Sequence, residues 1–122
     1  MNPNKTDAAE AVRKRLQSDL RSAIKARAAR EVAVLRQLIA AIDNAGAIPL
    51  PPKTELIQSE VERRCLGSND IQCLLQREFD IRRHAAHQFS TLGRRVEAEK
   101  AKFEMDVVAR YLVMQAREAT KT

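Results

Sequence analysis

Apolar residues recur along this chain in steps of three and four, the spacing of one face of a helix. Between residues 7 and 27 the stripe is Val12, Leu16, Leu20, Ala23 and Ile24, with Arg13, Lys14, Arg21 and Lys25 off it. A second stripe, Val32, Leu35, Leu38, Ile39 and Ile42, follows almost at once and runs out at Asp43-Asn44-Ala45-Gly46, where Asn44 or Gly46 can close a helix. Ala28 and Ala29 stand where a capping Ser or Asp would be expected, so the junction between the two helices carries no clear signal.

The pattern then breaks. Residues 47–67 hold Pro49, Pro51 and Pro52, three of the four prolines, which forbid a continuous helix and predict a long connector. Ser68 reads as an N-cap with Asp70 in the first turn. The third helix runs to about residue 92 with Ile71, Leu74, Leu75, Ala85, Phe89 and Leu92 on its buried side, and Glu78 and Arg82 are one turn apart and able to pair. Gly93 stops it. A fourth helix, residues 95–116, carries Val96, Phe103, Val107, Tyr111 and Met114 and spans about 33 Å. The expected fold is all-α: one domain over residues 1–122, with a disordered start at 1–7 and two antiparallel helical hairpins joined by the long proline-containing loop.

Composition narrows the function. At 122 residues the chain can bury one core. No stretch has the length and hydropathy of a membrane span or a signal peptide, so a cytoplasmic protein without membrane contact is expected. The two cysteines, Cys65 and Cys73, have neither redox nor zinc-site spacing and read as reduced thiols. Of the net charge of +6, residues 1–36 carry +5, from nine Lys/Arg against four Asp/Glu. That concentration favours a polyanionic partner, although a solvated basic face is the commoner explanation for charge alone.

No catalytic constellation is present. His84 and His87 with Asp80 could be imagined as metal ligands, but no fourth ligand follows, and a surface histidine pair is the simpler reading. Phosphate-loop and nucleophile-elbow motifs are missing. No enzyme activity, metal or cofactor is expected.

The ordered segments RLQSDLRSAIKAR, VAVLRQLIAAIDNA, EVERRCLGSNDIQCLLQREFDIRRHAAHQFSTLGRR and EAEKAKFEMDVVARYLV are more specific. Over residues 12–113 they resemble the YqeY family of GatB/YqeY-like proteins. The matching positions are Asp19, Leu20, Lys25, Leu35, Arg36, Ile42 and Asn44, then Glu78, Arg82, Gly93, Arg94, Glu104, Tyr111 and Leu112. Three positions depart: Ala28 for an Asp, Val96 for an acidic residue, and Val113 for the proline of a usual Y-L-P.

The resemblance implies a helical module associated with tRNA. Longer relatives carry a small tail domain like that of GatB, the amidotransferase subunit that handles misacylated tRNA, and some are fused to a glutaminyl-tRNA synthetase. Here the tail is expected to be absent. Carbon–nitrogen ligase labels, with glutamine as amide donor, attach to the family by association only. The expected role is therefore a non-catalytic accessory module, with tRNA or a tRNA-charging or amidotransferase enzyme as partner. Its candidate phosphate contacts are Arg13, Lys14, Arg21, Lys25, Arg27 and Arg30, joined by Arg94 and Arg95. Glu78 and Arg82 form the candidate structural pair. The alternative is a protein-interaction module, self-associating or docking through Met105, Val108, Leu112 and Val113 of the fourth helix; the sequence leaves the oligomeric state open.

Overall fold

The computed structural model describes residues 4–46 and 68–119. They form four helices and, among the described residues, no strand: α1 (Asn4–Lys25), α2 (Ala29–Gly46), α3 (Ser68–Thr91) and α4 (Arg95–Ala119). The connector expected at 47–67, with Cys65, lies outside the described residues, as do residues 1–3. Helix α1 begins at Asn4, three residues before the start expected from the apolar stripe.

Each hairpin closes through the same backbone device. At the first, the Arg27 N–H donates to the Ile24 carbonyl and the Ala28 N–H to the Ala23 carbonyl, both at 3.0 Å, with Arg27 at φ 57°. At the second, the Gly93 N–H donates to the Ser90 carbonyl at 3.0 Å and the Arg94 N–H to the Phe89 carbonyl at 2.8 Å, with Gly93 at φ 76°. Both are Schellman closures, in which a left-handed residue turns the chain so that the last carbonyls of the helix find donors. The residue after it starts the next helix: the Ala28 carbonyl accepts from Val32 and the Arg94 carbonyl from Ala98.

The core lies where the two hairpins meet. Val12, Leu16 and Ala23 of α1, Val34, Leu35, Leu38 and Ile42 of α2, Ile71, Leu74 and Leu75 of α3, and Val107, Val108 and Tyr111 of α4 are buried in one cluster. Adjacent buried pairs, Val34-Leu35, Leu74-Leu75 and Val107-Val108, show helices packed on more than one neighbour, which widens the apolar arc beyond a single stripe. Val108, expected on an exposed docking face, is therefore fully buried, while Met105 and Leu112 are half-buried and Val113 is exposed.

Helices α3 and α4 make the most extensive contact. Towards their turn the buried side chains are Ala86, Ala98 and Ala101, small enough for close approach. Leu92 and Val96 continue the apolar patterns but lie at the tip, 69% and 72% exposed, and not on buried faces. Ile24, beside the other turn, is also exposed.

The turns point to opposite ends. Arg110 of α4 pairs with Glu31 at the start of α2, and Arg82 joins Gln37 of α2 to Glu104 of α4, so α2 and α4 run antiparallel. Arg94 then lies about 24 Å along α4 from Arg110, away from the α1–α2 turn.

Candidate functional site: a basic face and the polar ties behind it

The outer side of α1 carries a row of cations without an ion pair among the described residues. Lys14, Arg21 and Lys25 follow one another at seven and four residues, on the side of α1 away from Val12, Leu16 and Ala23. Ser18 completes the row at one-turn intervals. Past the helix end, Arg27 and Arg30 extend the charge over the turn and into α2. All five cations are exposed, and none makes an ion pair among the described residues. Glu10 stands one turn before Lys14.

The remaining three candidate cations separate from this group. Arg13 is turned inward, donating from Nε and Nη2 to the two carboxylate oxygens of Asp43 at 2.8 and 3.0 Å, a bidentate tie between α1 and α2. The hydrogen bond to Asp43 and its charge raise the guanidinium pKa still further. Arg94 and Arg95 sit at the far turn. Arg94 donates to Glu97 at 3.0 Å and lies 5.9 Å from the Phe89 ring centroid. The Glu97 carboxyl is held below its ordinary pKa by its own backbone N–H and by Arg94. The eight residues thus do not form one surface.

Behind the basic face, polar contacts join the hairpins. Arg82, 7% exposed, donates to Glu78 Oε1 at 2.8 Å, to the Glu78 carbonyl at 2.9 Å and to Gln37 at 2.6 Å, with Glu104 3.6 Å from its Nε. That Nε is the one buried side-chain nitrogen or oxygen among the described residues with no hydrogen-bond partner, so Glu104 acts on it by charge. The Tyr111 hydroxyl donates to Asp19, which also accepts from Arg15. Burial, then the hydrogen bond to Asp19, push the Tyr111 pKa well above that of a free phenol.

These ties bring residues of distant segments together: Asp19 with Tyr111, and Glu78 and Arg82 with Glu104. Sequence periodicity gave no hint of Gln37 or of the Asp19–Tyr111 contact. A groove of about 760 Å³ runs beside Tyr111 between α1 and α4, with Arg15, Asp106, Arg110 and Val113 on its walls. Two of its cations are already engaged, Arg15 with Asp19 and Arg110 with Glu31.

His84 and His87 are exposed, and no group of three or more His, Cys, Asp or Glu among the described residues could hold a metal ion. Cys73 is an exposed free thiol. No described helix is long and apolar enough to cross a membrane. What the arrangement offers chemically is a row of cation donors on a rigid support.

In comparison with known proteins, a family model described as Yqey-like protein matches residues 13–120. No curated protein and no solved structure matches.

Proposed function

The chain belongs to the YqeY-like family, and from that premise we propose that it is a non-catalytic accessory module that holds tRNA on the outer face of α1, serving an enzyme that charges or amidates it. The observation that carries this reading is the row Lys14, Arg21 and Lys25, continued by Arg27 and Arg30, exposed and without an ion pair among the described residues, while Arg13 and Arg94 have carboxylate partners. Unpaired cations in a row gain from phosphate what paired ones have already gained from carboxylate. Lys25 lies at the negative end of the α1 dipole, so along α1 the side chains themselves supply the attraction.

Filter binding of bulk tRNA across a salt series tests the reading. Four to five phosphate contacts would give log K against log salt a slope of roughly −4. The triple variant Lys14→Glu/Arg21→Glu/Lys25→Glu should lose binding, and Arg94→Ala/Arg95→Ala should retain it. Affinity no better than that of an unrelated protein of equal charge, at about 0.15 M salt, would overturn the proposal.

A further inference from the structure

We propose that the part of the RNA held by α1 is the sugar–phosphate backbone of a base-paired stem, and not a single-stranded loop or end; this inference rests on the tRNA-binding reading above. Single strands are held by stacking their bases on exposed aromatic rings along a basic track. Here α1 and α2 contain no aromatic residue at all. The four aromatics belong to α3 and α4: Phe79 and Phe103 pack against the core, Tyr111 is 2% exposed, and Phe89 lies half-buried near Arg94 at the far turn. None of them shares a face with the cation row.

The geometry of the row agrees with a stem. Lys14, Ser18, Arg21 and Lys25 make a straight line about 16 Å long on one helix, and a straight, rigid donor row matches phosphates already ordered by a duplex. A flexible strand would first have to be ordered against it, at an entropic cost that no stacking repays. A helix with its side chains, about 10–12 Å across, does not enter the deep, narrow major groove of A-form RNA. The row therefore lies over the backbone, where the Ser18 hydroxyl can meet a phosphate or a 2′-hydroxyl and no base edge is read.

Competition against fluorescent bulk tRNA bound to the full chain tests this, with two competitors of equal phosphate count: a blunt RNA duplex of mixed sequence, about 16 base pairs long, and oligo-uridylate. The duplex should compete within a few-fold of unlabelled tRNA and oligo-uridylate roughly tenfold less well. The Lys14→Glu/Arg21→Glu/Lys25→Glu variant, its helicity checked by circular dichroism, should lose tRNA and duplex together. Oligo-uridylate competing as well as duplex, or tRNA binding that neither displaces, overturns the stem assignment and leaves the tRNA reading standing. If neither tRNA nor duplex binds, both fall.

Discussion

The two turns of this molecule have one hydrogen-bond pattern and two different residues at its centre. Gly93 takes the left-handed conformation freely, while Arg27 takes it against the contact between its own Cβ and carbonyl, at about 1 kcal/mol or somewhat more. The charges around them differ in the same sense. At the glycine turn, Arg94 is tied to Glu97, whereas at the arginine turn Lys25, Arg27 and Arg30 have no such partner among the described residues. The arginine turn thus combines left-handed strain with three exposed cations that have no ion pair among the described residues, while at the glycine turn only Arg95 is left so. Strain retained at a surface position points to a use for the residue that bears it.

Each turn also sets the register of an ion pair between its helices, and the strongest test of the contrast lies there. Ala28 is midway in sequence between Arg13 and Asp43, as Gly93 is midway between Arg82 and Glu104. The first pair is a third or more exposed, and the second encloses an arginine side chain only 8% exposed. Arg82→Ala leaves Glu78 and Glu104 facing each other with their shared cation gone, and should cost about 3 kcal/mol in denaturant unfolding. Arg13→Ala should cost well under 1 kcal/mol, roughly what an exposed pair contributes. Equal losses would mean that the two registers are held alike.

A pH titration probes the joint between the hairpins. The folded state keeps Tyr111 neutral by burial and by its bond to Asp19, raising its pKa above the unfolded value. The stability this represents is full below about pH 10, where the unfolded phenol is also neutral, and is lost as pH rises from there towards the folded value, at about 1.4 kcal/mol per pH unit. Tyr111→Phe should be less stable at neutral pH yet show a shallower alkaline decline. The same slope in both proteins would remove Tyr111 from the account.

These contrasts explain what was legible in the sequence. Four helices could be read because each has an apolar stripe of helical period, and the glycine turn because Gly93 announces it. The arginine turn was silent because its left-handed residue is neither Gly nor Asn. Faces that meet one neighbour were readable. Val34 and Val108, on helices with more than one neighbour, were not, and Leu92 and Val96 keep the period past the point where anything covers them. The cations were all visible, but whether each is paired depends on hairpin register, and that register follows from where the turns fall.

At the glycine turn itself, an alanine Cβ on Gly93 would have nothing within 4 Å, so Gly93→Ala isolates backbone strain from packing. The expected loss is about 1 kcal/mol. A loss near zero would show that the left-handed turn costs little in this bundle, and with it the claim that Arg27 is strained would fail.

Arg27→Gly should have the smallest effect on stability and the opposite sign. It relieves the left-handed strain but gives the unfolded chain more freedom, so the gain is partial, on the order of 0.5 kcal/mol. Because the turn pattern needs only backbone groups at this position, the hairpin register should be unchanged. The same variant should weaken tRNA binding and reduce the salt slope by roughly one phosphate contact. More stability with less binding would identify Arg27 as a residue kept for its charge in spite of its conformation. If Arg27→Gly gained stability and bound tRNA with an unchanged salt slope, the two turns would differ in strain alone, and the contact with RNA would have to be carried by Lys14, Arg21, Lys25 and Arg30.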